Sequence, residues 1–558
     1  MTLGIDLGTT HSLAAIWRDG ATQLVPNALG EVLTPSAVSV DEQDRVLVGR
    51  AARERLSTHP ARTAVAFKRW MGTDRSVRLG NRSFRPEELS ALVLRSLKED
   101  AEAWLGAPVS EAVITVPAYF NQAQRRATKA AAELAGLRVE RLLNEPTAAG
   151  LAYGLQESPD HTTFLVFDLG GGTFDVSVLE YFEGVVQVRA SAGDTRLGGE
   201  DYTEALGGAI LARLGELGAG ARERLRSAGV LWRAAEQAKR ELSERASTRI
   251  TLVHEGQSLD CELGREDFEQ ACAPLMQRLR RPIERALLDA RLQPSELAEV
   301  VLVGGATRMP MIRQAVTRLF QRLPLRTIHP DETIARGAAI QAALLARAAA
   351  LDEVVLTDVM PYSLGVVVQG DRYSPIIERN MPVPVSRSGH YVTVQDQQSV
   401  LLLDIRQGES PVGSENLALG VLEVPVPPKK AGEAGVEVRF SYDANGLLVV
   451  DAHDAETGRR AQTVIRQRDD QLSDAQLADA LARLDQLKVH PRDQQENRFL
   501  VERAKRLYED RLGVERERLQ QALLEFQAAL ETQDLDVVAR ARTRMRELLD
   551  SVDRAPWF

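Results

Sequence analysis

Gly4-Ile5-Asp6-Leu7-Gly8-Thr9-Thr10 and Val166-Phe167-Asp168-Leu169-Gly170-Gly171-Gly172-Thr173 are two copies of one pattern. Each is an apolar strand that ends in Asp, then a glycine turn, then threonine. Copies this far apart predict two related halves of one domain. Glycines lack Cβ, so the turns at Gly8 and at Gly170, Gly171 and Gly172 let backbone N–H groups approach phosphate oxygens. Thr9, Thr10 and Thr173 add hydroxyl donors. Two such hairpins face to face would clamp a polyphosphate, with Asp6 and Asp168 holding Mg²⁺ through waters. A third turn, Gly304-Gly305-Ala306-Thr307-Arg308, follows the apolar run Glu299–Val303. There Gly305 lets backbone touch a nucleoside and Arg308 can stack on an adenine. Taken alone, this third pattern equally describes a plain strand-to-helix turn.

Outward from these motifs, residues 1–352 alternate strand and helix patterns, as an α/β domain does. Strands are predicted at Glu111–Val116, Thr163–Asp168 and Val300–Val303, and helices at Pro86–Trp104, Asn121–Ala135 and Leu231–Arg245. From Val354 the pattern becomes short alternating strands, up to about Arg468. Asp443-Ala444-Asn445-Gly446 sits between the runs Val436–Tyr442 and Leu447–Ala452 and predicts a hairpin. Pro425, Pro427 and Pro428 with Lys429 and Lys430 predict a loop. From Leu472 the period is helical. Ser473 or Asp474 caps a helix whose Leu477, Leu481, Leu484 and Leu487 share a face, Pro491 breaks it, and further helices run to about Leu549. The expected division is 1–352 (α/β), 353–358 (linker), 359–470 (β) and 471–558 (helical).

Composition narrows the function classes. A chain of 558 residues exceeds one compact core, and a net charge of -10 argues against nucleic acid as the main partner. Cys261 and Cys272 form neither a C-x-x-C pair nor a zinc spacing, so free thiols in a reducing compartment are expected. The eight histidines are scattered from His11 to His490. The N-terminus lacks the pattern of a signal peptide, and no run is apolar enough for a membrane span. Ala335–Leu351, interrupted by Arg336 and Arg347, predicts a packed helix. The expected location is the cytoplasm.

Val116-Pro117-Ala118-Tyr119-Phe120, Asn144-Glu145-Pro146-Thr147-Ala148-Ala149 and Val303–Pro310 complete a set that, in order and spacing, resembles the DnaK-type family, the seventy-kilodalton heat-shock chaperones. The resemblance covers nearly the whole chain, and the compact length and short C-terminus look most like the bacterial HscC branch. It implies an actin-like ATPase domain of duplicated ribonuclease-H-like halves, then a β-sandwich peptide-binding domain and a short helical lid. It also implies an ATP-dependent chaperone that uses ATP, ADP and Mg²⁺. Lys68, otherwise read as a solvated helix lysine, matches the residue that orients the attacking water. Glu145 matches the carboxylate that positions that water. Asp6, Asp168 and Asp175 match the acids around Mg²⁺, and Thr9 and Thr173 the hydroxyls near the γ-phosphate. Glu236, Lys239, Arg240 and Ser243 fall on one helix face by i, i+3, i+4, i+7 spacing. The resemblance gives the first two ribose contacts and stacks Arg240 on adenine opposite Arg308; a solvated helix shows the same charge pattern. Gly304, Gly305, Ala306 and Asp331 match further nucleotide-site positions.

Val354-Val355-Leu356-Thr357-Asp358 resembles the family's interdomain linker. An apolar linker prefers to dock, which makes it a candidate switch. Pro117 and Arg125 match positions that relay nucleotide state to it. Val366, Tyr391, Leu401 and Leu403 fall where the family lines its peptide pocket, although sandwich core would use the same residue types. Gln369 and Val394 match the arch over the peptide, with Gln369 in place of the usual apolar residue. The implied partners are unfolded or client polypeptides and a J-domain co-chaperone acting at Arg141, Asn144, Thr147 and Asp358. The short stretch Val253–Gly264 argues against dependence on a nucleotide-exchange factor. The ending Pro556-Trp557-Phe558 lacks the acidic tail of eukaryotic cytosolic members. His11 stands where an asparagine is common. Two other readings are a small-molecule kinase and a filament-forming relative of actin. Neither gives the β region a purpose.

Overall fold

The computed structural model describes residues 1–157, 161–182, 185–214, 225, 229–254, 257–325, 329–346, 355–442, 448–454, 460–465, 491–511, 513–531 and 535–554. The two copies of the Asp–Gly–Thr motif build the same local structure twice. β1 (Thr2–Asp6) turns back antiparallel into β2 (His11–Arg18) and lies parallel to β3 (Glu111–Val116), which continues the sheet into β4 (Arg138–Asn144). β5 (His161–Leu169) turns back into β6 (Phe174–Phe182), which pairs with β7 (Val185–Asp194), and β5 lies parallel to β8 (Glu299–Val303). Both motif strands are nearly continuous buried apolar runs, as central strands covered on two faces must be. Between the sheets lie the helices Glu145–Glu157 and Thr333–Leu345. Their alanines share one core with Phe164, Val166 and Val301. The Ala-rich run is thus a packed helix up to Leu345; residues 347–351 lie outside the described set.

Each sheet carries its own outer layer. In the first lobe α1 (Arg50–Thr58) covers a small sheet of Ala37–Val40, Val46–Val48 and Thr63–Val65. In the second, α2 (Val230–Glu244) lies beside the helix Gly199–Arg213, and α3 (Ala273–Ala290) packs on β6 and β7.

β9 (Val355–Val359) extends the second sheet. Its backbone pairs in parallel with β7, Leu356 opposite Val186, and antiparallel with Pro382–Val383. The expected linker is therefore an added strand, between β7 and Pro382–Val383; Glu353 and Val354 lie outside the described residues. The β region forms two four-stranded sheets around Leu364, Ile405, Val438, Phe440 and Val450. The expected loop at Pro425–Lys430 is corrected. Leu417–Lys429 is one strand, at the edge of its sheet, with a register shift where Pro425 faces Val400. An edge and a bulge are where a strand tolerates residues without an N–H. Residues 443–447, the expected hairpin turn, are outside the described set; the flanking strands pair antiparallel, Tyr442 opposite Leu448.

α4 (Pro491–Asp510), α5 (Gly513–Glu531) and α6 (Leu535–Arg554) pack around Leu500, Leu507, Phe526 and Leu549. Pro491 opens α4, where its missing N–H costs nothing. Ser473, Asp474 and the leucines 477–487 fall outside the described residues. Cys261 and Cys272 are both free. Among the described residues no helix is long and apolar enough to cross a membrane.

Candidate active site

The two hairpin turns meet. A Cβ on Gly171 would stand 1.8 Å from Thr10 Oγ1, so only glycine fits between the halves there. The cleft they close has a volume of about 540 Å³. Asp6 reaches it from the end of β1, Asp168 from the end of β5. Lys68 comes from a 3₁₀ turn, Phe67–Trp70, entered through Ala66 at φ 53°, and Glu145 from the first position of its helix. Lys68 Nζ donates to Glu145 Oε1 at 2.7 Å, with both residues at most 5% exposed. Thr115 Oγ1 donates to Asp6 Oδ1 at 3.2 Å. Asp175 faces Asp168 across the hairpin and sits behind the cleft wall. Gly172 is also behind the wall, against Thr9.

One lysine thus faces four carboxyl groups. Burial, then the Glu145 charge, pushes Asp6 up to about 7 against the pull of Lys68. The same two causes push Asp175 up to about 8. Burial holds Asp168 well above the carboxylate range. Asp168 Oδ2 and Asp175 Oδ1 are buried without a hydrogen-bond partner. Buried oxygens left unpaired in a carboxylate-rich pocket suit a hard divalent cation, which would supply the missing positive charge.

The far end of the cleft is built for a neutral, polar ligand part. Gly8, Thr9, Thr10, Gly170 and Thr173 line the inner end; Ser243, Gly304, Gly305, Ala306 and Arg308 line the outer. Lys239 Nζ donates to Glu236 Oε2, Thr203 Oγ1 and Gly199 O at 2.6, 2.8 and 3.1 Å. Burial opposes ionisation of Glu236, yet Lys239 and Arg240 hold it down to about 2. Arg240 Nε donates to Glu236 Oε1 at 3.0 Å and Arg308 Nη2 to Asp331 Oδ2 at 2.6 Å, leaving both guanidinium planes at the mouth. Sequence reasoning gave no role to Glu200, which lines the cleft and accepts from Thr10 Oγ1 at 3.4 Å and Trp232 Nε1 at 2.9 Å. Its position after Gly198-Gly199, at the first turn of a helix, was the available signal.

The model for the family described as "Hsp70 protein" matches residues 2–77 and 74–555. The chain belongs to the Hsp70 family. The chaperone proteins DnaK of Thermotoga petrophila and Thermotoga maritima are each 43% identical to it over 478 residues, 84% of this chain and 80% of theirs. That of Thermosipho africanus is 38% identical over 576 residues, 99% of this chain and 95% of its own length. This Hsp70 is an ATP-dependent molecular chaperone with ATPase activity, and its partners include unfolded client polypeptides.

In this Hsp70 two sets of hydrogen bonds run from the residues around the cleft toward the β region. Arg125 Nη2 bonds Asn144 Oδ1, and its Nε donates to Phe120 O at 3.1 Å, beyond the buried Pro117. Asn144 Nδ2 then donates to Asp358 Oδ2 at 2.8 Å, joined by Thr147 Oγ1 at 3.3 Å. Leu356 packs on the core between the sheets. Arg141 turns the other way, to Gln341 Oε1 at 3.3 Å. Tyr119 carries the second route, one the sequence did not reveal. Its backbone N–H bonds Asp175, its carbonyl accepts from Tyr362 Oη at 3.0 Å, and the two rings meet edge-on at 4.9 Å. Arg379 clamps Asp289 of α3 through two bonds of 2.9 and 2.8 Å and also holds Glu409.

The peptide-pocket candidates divide. Val366, Leu401 and Leu403 are buried in the sandwich core, and Tyr391 packs on it with Oη 3.2 Å from Ser374 Oγ. Gln369 and Val394 are exposed, as are Val392 and Val400.

Proposed function

We propose that residues 1–352 form an actin-like ATPase whose nucleotide state sets the affinity of the 359–470 β-sandwich for extended apolar peptide segments, with 353–358 as the switch and 471–558 as the lid. Lys68 and Glu145 hold the attacking water, each fixed by the other. Thr9, Thr10 and Thr173, with the glycine turns, receive the phosphates; Glu236 and Lys239 take the ribose, and Arg240 and Arg308 the adenine. Mg²⁺, held by Asp6 and Asp168, would offset the charge that develops during phosphoryl transfer. Positioning plus electrostatics is the chemistry such a transfer needs. Asp175 would take up strain from any shift of these carboxylates and pass it along the backbone of Tyr119.

The observation that carries the coupling is the unbroken hydrogen-bonded path Arg125–Asn144–Asp358, buried at its last two members. A buried amide–carboxylate bond cannot be left half-made without a cost of about 1–3 kcal/mol, the size of a typical coupling between sites. A J-domain partner acting at Arg141, Asn144, Thr147 and Asp358 would act on this joint. A cytoplasmic setting fits two free cysteines, and the HscC-like branch fits the compact lid. The test is release of a fluorescent apolar peptide. Fast release in ATP and slow release in ADP is expected; release indifferent to nucleotide would break the coupling.

A further inference from the structure

α4 of the lid does more than rest on the first lobe. Along α1 it makes a buried seam. Arg55, fully buried, donates to Glu502 Oε2 at 3.1 Å, Arg506 bonds Glu54, and Phe499 packs on Ala37, Ala51 and Ala52. At its last residue, α4 crosses to the second lobe. Arg233 Nη2 of α2 donates to both oxygens of Asp510, at 2.8 and 2.9 Å, and its Nη1 reaches Ser57 Oγ of α1 at 3.3 Å. Asp510 Oδ2 also accepts from Arg506 Nη1 at 3.4 Å, so one carboxylate joins a cation tied to the first lobe with a cation of the second.

The two lobes also touch along the same seam. A Cβ on Gly229, at φ 68°, would stand 2.5 Å from Leu56 O, and the Arg53 guanidinium lies 4.4 Å from the Trp232 ring. Arg233 lies on α2 three residues before Glu236 and six before Lys239. A helix moves as a rigid rod over such a span, so whatever fixes Arg233 fixes the ligand-facing turn that follows.

We propose that Asp510 is a positioning residue for the nucleotide: acting through Arg233, it pins α2 against the first lobe and keeps the cleft shut, so nucleotide leaves at its full rate only after the lid lifts. This rests on the reading of the cleft as the nucleotide site. A lid that binds both lobes opposes their separation directly, and a peptide that draws the lid away would speed nucleotide exchange without touching the cleft.

The test is dissociation of a fluorescent ADP and a fluorescent ATP from the full chain, chased with unlabelled nucleotide in a stopped-flow instrument. Variants are Asp510→Arg, Arg233→Asp and the double exchange. Each single variant puts like charges face to face and should speed release about tenfold, the change expected for a lost charge-assisted pair. The double exchange should recover part of the loss, since it restores the pair with α2 but not the bond from Arg506, while single-turnover hydrolysis stays within a small factor throughout. Singles that release at the wild-type rate, or a double no slower than the singles, would overturn the proposal. Absence of nucleotide binding to the unmodified chain would instead strike the site itself. Asp510→Asn, which keeps the shape of the side chain, gives the same comparison if a charge reversal unfolds the lid.

Discussion

Lys68→Ala removes a buried cation that faces four carboxyl groups, so its two effects should separate cleanly. On activity, the water loses its positioning donor; one such group lost from a preorganised site costs about 3 kcal/mol, a fall of roughly 10²- to 10³-fold in single-turnover ATP hydrolysis. On stability, Glu145 stays buried at 5% exposure with its 2.7 Å partner gone. Breaking a buried pair on one side typically costs about 3–5 kcal/mol. Lys68 holds down the carboxyls of Asp6 and Asp175, which burial and the Glu145 charge push up to about 7 and 8, so without it both keep their protons to higher pH and relieve the excess charge there. The loss should therefore be largest at high pH and shrink as pH falls through that range. Lys68→Ala with Glu145→Gln tests the argument. The neutral amide should recover most of the stability and none of the hydrolysis, while ATP-driven peptide release, which needs binding only, should persist in both. Urea midpoints at pH 6 and pH 8.5, together with single-turnover rates, decide it. Hydrolysis within about threefold of the unmodified chain, or stability lost equally at both pH values, would refute the role given to this pair.

Gly171→Ala places a methyl group 1.8 Å from Thr10 Oγ1 and must spread the hairpins, so nucleotide affinity measured by calorimetry should fall at least about tenfold, with part recovered by Thr10→Gly. The His11 imidazole is held down to about 3 by burial and by Arg53 and Arg240, so it stays neutral in the folded chain. The unfolded chain binds a proton there below about 6.5, so stability should fall with pH from that point toward 3, by at most about 1.4 kcal/mol per unit. His11→Asn should flatten that slope, which urea midpoints at pH 7 and 5 would reveal. Arg379→Ala cuts the clamp to Asp289 and Glu409, so the β region should undock more readily and ATP-triggered peptide release should slow several-fold; release at the unmodified rate would remove that contact from the coupling.

The parts of this molecule written in local pattern were legible. An apolar strand, an Asp and a glycine turn specify a hairpin wherever they occur, so the duplicated centre could be located from Asp6 and Asp168 alone. The helix Gln122–Leu134, with Asn121 capping Gln124 N, is similarly local. Strand prolines failed the same logic. Pro425 reads as loop until the sheet's order makes that strand an edge. Alternation could not separate pocket from core either: Val366 and Leu403 point inward in both cases, and only their 1% and 3% exposure reveals the packing here.

The joints between regions leave no such trace, because they are built from side chains that look solvated in their own element. Arg379 and Asp510 sit in polar stretches and Arg233 on the polar side of an amphipathic helix, and what they grip lies 90 or 277 residues away. Arg55 makes the point most sharply: its helix reads as one with arginines on a wet surface, yet its guanidinium is fully buried against Ser39, Glu42 and Glu502. A charge that deep is stable only while all its partners are present. Lifting the lid takes away Glu502 and lets water reach Arg55 in exchange. Rehydration offsets part of the penalty, so the joint as proposed opens at less cost than a charge left dry without its partner. An apolar seam of the same area would hold the lid shut. The polar composition that hides this joint from the sequence is therefore the property that lets it work as a reversible one.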